Sequence, residues 1–160
     1  MRLFVKDWPA LQQRMGLRPS LAWVTDHDTL EAARRHRREM RRDPDAWLWW
    51  TFWQVILVSD DVSIGLVDFK GPPAPDGGIA VGCAFAPFYW GRGYATEAVG
   101  ALLTRMRRES AVRYIWAETD VTNVRAHRLL QNLGFRPLPD AELGSGPPPF
   151  PIRVRWGLVP

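Results

Sequence analysis

Pro87-Phe88-Tyr89-Trp90-Gly91-Arg92-Gly93-Tyr94-Ala95-Thr96-Glu97-Ala98 is the stretch on which the fold turns. Before it, Ile79 to Ala86 is a short apolar run that reads as a strand. After it, Ala95, Ala98, Val99, Leu102, Leu103 and Met106 recur at helical spacing and predict a helix from Tyr94 to Arg108. Glycines between a strand and a helix let the backbone come close to a ligand, and they expose consecutive amides at the positive end of the helix dipole. Such a turn suits a phosphate group. It is not a Walker loop, because no Gly-Lys-Ser/Thr follows, and it lacks the third glycine of the dinucleotide fingerprint. Taken alone, a plain strand-to-helix connection explains it equally well.

Working outward, Lys6 to Met15 reads as a short helix stopped at Gly16. Asp28 with Glu31 has the spacing of a capping box, opening a helix that sets Leu30, Ala33 and Met40 on one side and ends at Asp43-Pro44. Trp47 to Val58, aromatic and β-branched, predicts a strand; Asp60-Asp61 turns it into a second strand from Val62 to Phe69. The four tryptophans at 47, 49, 50 and 53 read as core, with one face able to line a pocket. Gly71 to Gly78 is a loop. Arg113 to Glu118 predicts a strand. Asn123 to Leu133 predicts a helix with Ala126, Leu129, Leu130 and Leu133 inward, closed by Gly134 as a left-handed cap. A proline-rich tail leads into a last strand from Ile152 to Leu158. With no repeat and no linker, the expectation is one domain over residues 1–160, α/β in class, with helices on both faces of a mixed sheet.

Composition narrows the function. The 160 residues carry 21 basic and 17 acidic side chains, a net charge of +4. Only Lys6 and Lys70 are lysines, and the segment 31–42 sets six arginines against Glu31 and Glu39, a local surplus equal to that of the whole chain. That segment suggests nucleic acid or a ribosomal surface by charge, but no aromatic residues interleave the arginines, so a solvated helix face is the simpler reading. The single cysteine, Cys83, excludes internal disulfides and cysteine metal clusters; the histidines at 27, 36 and 127 lack ligand spacing, so no metal is expected. No apolar run is long enough for a membrane span, and the N-terminus lacks the apolar core of a secretory signal. A cytoplasmic location is expected.

The glycine turn is followed by Ala117-Glu118-Thr119-Asp120, then Asn123, then Leu133-Gly134-Phe135. This succession, spanning about Gly65 to Arg136, resembles the GNAT family of acetyl-CoA-dependent N-acetyltransferases, most closely its RimJ/RimL-like branch. The resemblance implies a GNAT fold, a central, mostly antiparallel sheet with splayed strands. It implies acetyl-CoA as co-substrate, with the amides of Gly91, Arg92, Gly93, Tyr94, Ala95 and Thr96 around its pyrophosphate. The strand edge from Cys83 to Phe85 would bond the pantetheine arm, and Asn123 would reach the coenzyme. Trp90 stands where many members carry Gln or Arg.

Nearer the chemistry the chain departs from the pattern. A tyrosine common on the last helix is Leu130 here, a serine three residues after the asparagine is Ala126, and a carboxylate common on the third strand falls on Ala80. The remaining candidates for a general base are Glu118, with a structural acceptor as its alternative role, and His127, which has a suitable pKa but neighbours Ala126 on a face that would meet solvent. Asp120 reads as a cap, and Cys83 as a small buried residue. Without a dedicated base, a weakly basic acceptor is favoured. At pH 7 an α-amine with pKa near 7.8 is neutral in about one molecule in seven, a lysine amine in roughly one in 2,500. The implied activity is acetyl transfer to a primary amine, on a protein N-terminus or a small molecule, by direct attack. The alternatives are a non-catalytic acyl-CoA-binding protein and a ribosome- or RNA-associated protein using the arginine helix. A homodimer is left open.

Overall fold

Helix α1 (His27–Arg42) opens the described part of the chain: the computed structural model describes residues 27–143 and 153–158. The helix expected over Lys6–Met15 and the run of prolines from 147 to 151 lie outside those residues. A 3-10 helix (Pro44–Trp49) follows, then β1 (Phe52–Leu57), β2 (Val62–Phe69), β3 (Gly78–Phe85), a 3-10 turn (Pro87–Tyr89), α2 (Tyr94–Met106), β4 (Tyr114–Asp120), α3 (Val124–Asn132), β5 (Arg136–Leu143) and β6 (Arg153–Leu158). The class is mixed α/β. The six strands are ordered β1-β2-β3-β4-β6-β5. The β1–β2, β4–β6 and β5–β6 pairs are antiparallel, and β3–β4 is parallel.

The chain divides into two compact units, Met1–Pro72 with Cys83–Ala95, and Pro73–Gly82 with Thr96–Pro160. In the first, α1 buries Ala33 and His36, one turn apart on one face, while Arg34, Arg38, Arg41 and Arg42 stay exposed. β2 is buried on both faces, from Ser63 to Phe69. Phe85 lies over Gly65, where a Cβ would come within 2.4 Å of its ring, so glycine there makes room for the aromatic side chain. In the second unit, Val99, Leu102, Leu103 and Met106 of α2, Ile115 and Ala117 of β4, and Leu130, Phe135 and Trp156 are buried. The β3–β4 ladder covers three pairs and stops at Ala80↔Trp116, whereas β4 pairs with β6 as far as Asp120↔Arg153.

Three expectations change. The Trp47–Val58 strand begins only at Phe52, because Asp43 caps a 3-10 helix by accepting from the Asp45 amide at 3.2 Å and Pro44 pre-sets its first turn. Trp47 is 51% exposed, not core. The helix is already under way at His27, so Asp28 lies inside it and not at its cap. β5 was not expected, since Pro137 and Pro139 argue against a central strand; at the end of the strand order it is an edge, where prolines are tolerated. The close of α3 follows expectation: Gly134 has φ +85°, the Phe135 amide donates to the Leu130 carbonyl at 2.9 Å, and the Gly134 amide donates to Gln131 at 3.0 Å.

His36 is one of three buried polar residues of the first unit among the described residues, with Ser63 and Asp68. It is fully buried, stacked on Phe52 at 4.5 Å and edge-on to Trp50. Asp68 lies 3.5 Å from its Nε2, but Lys70 holds that carboxylate with contacts of 2.8 and 3.0 Å. Burial lowers the imidazole from 6.5 to about 4, against the opposing pull of Asp68. The unfolded chain therefore takes up the proton first, and stability present above pH 6.5 is lost as pH falls towards 4. Between pH 7.5 and 5 this group alone is expected to remove roughly 2 kcal/mol of unfolding free energy. Urea titrations of the native chain and of His36→Phe should diverge across that window, and parallel pH profiles would refute the assignment.

Candidate functional site

The glycine turn is built as its sequence requires. Gly91 and Gly93 have φ of +74° and +84°, and a Cβ built on either meets nothing within 4 Å. Glycine is needed there for backbone conformation, and the space beside both α-carbons is open. None of the amides from Gly91 to Thr96 donates to a backbone carbonyl among the described residues, and those of Tyr94 to Thr96 belong to the first turn of α2, which has no acceptor of its own. The turn is braced from behind. The Ala86 amide donates to Ile64, Tyr89 to Ala86, and Trp90 to Pro87, at 2.9 to 3.1 Å. The Trp90 indole N–H donates to the Phe85 carbonyl at 2.7 Å. Arg92 rests over Phe88 and Tyr89, 5.1 and 5.9 Å from the ring centres.

The first unit thus brings together Cys83, Phe85, Trp90, Gly91, Arg92, Gly93, Tyr94 and Ala95. Trp90, in the position expected to vary, is the clasp between the strand end and the turn. One lone pair of the Phe85 carbonyl is committed to it. Cys83 corrects its sequence reading: the residue is exposed, not buried.

The second unit holds Thr96, Glu118, Asn123 and His127. Glu118 is half-buried on β4, directly across from Arg155 on β6, whose Nη2 and Nε donate to Oε1 at 2.8 and 3.2 Å. Asp120 accepts from the amide and hydroxyl of Thr122 at 2.7 and 2.6 Å, holding the turn before α3. The helix cap itself is Asn123, whose Oδ1 accepts from the Ala126 amide at 3.1 Å. His127 does not point away into solvent. It is half-buried against Trp156, 5.4 Å between ring centres, with Nε2 3.0 Å from the Asp120 carbonyl. Leu130, at the usual tyrosine position, is a core residue, 6% exposed.

Arg155 was missed by sequence reasoning, as was the His36–Asp68–Lys70 cluster. Alternation along Trp116-Ala117-Glu118 and along Arg155-Trp156-Gly157 signals which residues share a face. Nothing local states which residue of one strand meets which of the other. Among the described residues there is no cluster of His, Cys, Asp or Glu fit for a metal, and no helix is long and apolar enough to cross a membrane.

The family described as an acetyltransferase (GNAT) domain matches residues 1–136. The chain belongs to the GNAT family. Solved structures agree on the fold. A ribosomal-protein-S5-alanine acetyltransferase from Vibrio fischeri aligns over 99% of this chain and 88% of its own, with a TM-score of 0.67 at 15% identity. RimL, a ribosomal L7/L12 α-N-protein acetyltransferase solved in complex with coenzyme A, aligns over 99% and 85%, with a TM-score of 0.61 at 15% identity. A GNAT acetyltransferase from Bacillus anthracis shares 22% identity over 66% of this chain, with a TM-score of 0.58, and the chain spans 64% of its length. No curated protein sequence matches the chain.

For a GNAT chain the diagnostic feature is therefore the turn, and its conformation makes a sharp prediction. Gly91→Ala or Gly93→Ala forces an L side chain into the left-handed region, with a cost of about 1–2 kcal/mol each. Thermal unfolding should shift down by several degrees for either variant. Unchanged melting would mean that the turn relaxes to negative φ without loss.

Proposed function

We propose that this chain is an N-acetyltransferase that moves acetyl from acetyl-CoA to a primary amine, with an α-amine preferred over a lysine side chain. The observation that carries the reading is the row of amides from Gly91 to Thr96, free of backbone acceptors, at the head of a 13-residue helix and behind two exposed glycines. A pyrophosphate would supply the acceptors those amides lack, and the helix N-terminus favours its charge by about 0.3–1 kcal/mol or more. The residues present therefore fit coenzyme A without a cationic side chain at the pyrophosphate. The fold shared with RimL, a protein solved with coenzyme A, supports the same choice.

The chemistry asks little beyond positioning. The amine lone pair attacks the thioester carbonyl carbon, the carbon–sulfur bond breaks, and the coenzyme leaves as a thiolate while the amine loses a proton. A thiol with pKa near 8.5 leaves without much acid assistance, which is consistent with Leu130 where a tyrosine would stand. Juxtaposition supplies most of the acceleration, and a base adds about 10²–10⁴-fold. Glu118 takes that proton, because Oε1 is held by Arg155 while Oε2 has no hydrogen-bond partner among the described residues. His127 is held against the Asp120 carbonyl and Trp156 and serves the turn. The acceptor is a protein N-terminus or a small amine of low basicity.

Calorimetry with acetyl-CoA, paired with mass spectrometry of two peptides, one with a free N-terminus and one with only a free lysine, separates the possibilities. The expected result is micromolar binding, faster acetylation of the N-terminus, and at least tenfold weaker binding for Gly93→Ala. Binding without turnover of any amine would make the chain a coenzyme-binding protein, and faster lysine acetylation would sink the α-amine preference.

A further inference from the structure

The face of β4 that carries Glu118 holds a further arrangement within the second unit. Glu118 and Trp116 are two residues apart, so they share a face of the strand, and the antiparallel register sets Arg155 opposite Glu118 and Gly157 opposite Trp116. Gly157 has no side chain of its own to lay on the indole. Arg155 leans over it instead, with its guanidinium carbon 4.5 Å from the ring centre. From that seat Nε and Nη2 both reach Oε1 of Glu118, at 3.2 and 2.8 Å. A planar guanidinium stacked on an indole has little freedom to rotate, and two N–H groups on one oxygen fix the carboxylate plane. Oε2 is left without a hydrogen-bond partner among the described residues. A bridge made only for stability gains most by satisfying both oxygens in the fork arrangement; this one satisfies one and spares the other.

We propose that Arg155 is a positioning residue for Glu118, using Trp116 as its platform so that Oε2 stays available to the incoming amine. This rests on the reading of Glu118 as the group that receives the amine proton. Arg155 itself takes no proton and touches no substrate. The stack also explains why a strand at mid-sheet devotes Trp116 to a half-exposed position: the indole holds the cation in place.

The test is a double-substitution cycle on the full chain, with steady-state kinetics for an N-terminal peptide and calorimetry for acetyl-CoA. Arg155→Gln is expected to lower kcat at least tenfold with acetyl-CoA affinity unchanged, and Arg155→Lys to recover part of the loss. Trp116→Leu, which removes the platform and keeps the guanidinium, should fall between them. In a Glu118→Gln background, Arg155→Gln should have no further effect, because a residue that acts through the carboxylate has nothing left to position. Equal losses in both backgrounds, or a loss confined to melting temperature, would overturn the role of Arg155. If Glu118→Gln turns over normally while Arg155→Gln does not, the base assignment fails instead, and Arg155 acts by another route. If Glu118→Gln is impaired and Arg155→Gln is not, the base stands and the positioning role is refuted.

Discussion

Amide donors at a helix start must find acceptors, and here a run of them finds none in the backbone of the described residues. Gly91 and Gly93, both at positive φ, turn the chain into α2, and the space beside both α-carbons is open. Everything adjacent serves to hold that arrangement still. Trp90 ties the turn to the last residue of β3, successive 3-10 bonds set the approach, and Phe85 occupies the room that Gly65 leaves for it. A donor array held rigid before a ligand arrives loses little freedom on binding, which is where such a site gains affinity.

Charge enters this design less than the composition suggests. The arginine surplus of residues 31–42 lies on α1, where Arg34 pairs with Glu31, and Arg38 and Arg42 pair with Glu39. These exposed pairs are worth little individually, but they neutralise part of the local field. The opposite face of the same helix inserts His36 among Phe52, Trp50 and Asp68. The helix thus buries one imidazole on this face, while Arg34, Arg38, Arg41 and Arg42 lie on the solvent side. Arg92 is the single guanidinium in the glycine turn, and it lies over the rings of Phe88 and Tyr89.

Much of the fold was legible because its signals are local. The amphipathic spacing of α2, the Gly134 cap of α3 with its Phe135 bond to Leu130, and the Asp60-Asp61 turn between β1 and β2 each depend on a few neighbouring residues. The errors fell where local signals compete. Tryptophans favour strands, yet Asp43 and Pro44 imposed a 3-10 turn on Trp47 and Trp49. Pro137 and Pro139 argue against a strand, yet an edge position accepts them. A lone cysteine reads as a small buried residue because cysteines usually are, but Cys83 lies exposed near the end of β3, past the last residue paired with β4.

By itself the sequence determined the glycine turn, since glycines at two fixed positions between a strand and a helix permit the positive φ that both adopt. It also determined the family, through motifs whose order and spacing survive without any contact being known. Only the tertiary structure decided the partners of the side chains. That Glu118 meets Arg155, that Arg155 rests on Trp116, and that His36 is buried beside Asp68 all depend on strand register and on helix placement. Those are set by cooperative packing across tens of residues, and a one-position shift of β6 against β4 would have turned Arg155 to the face opposite Glu118 and Trp116.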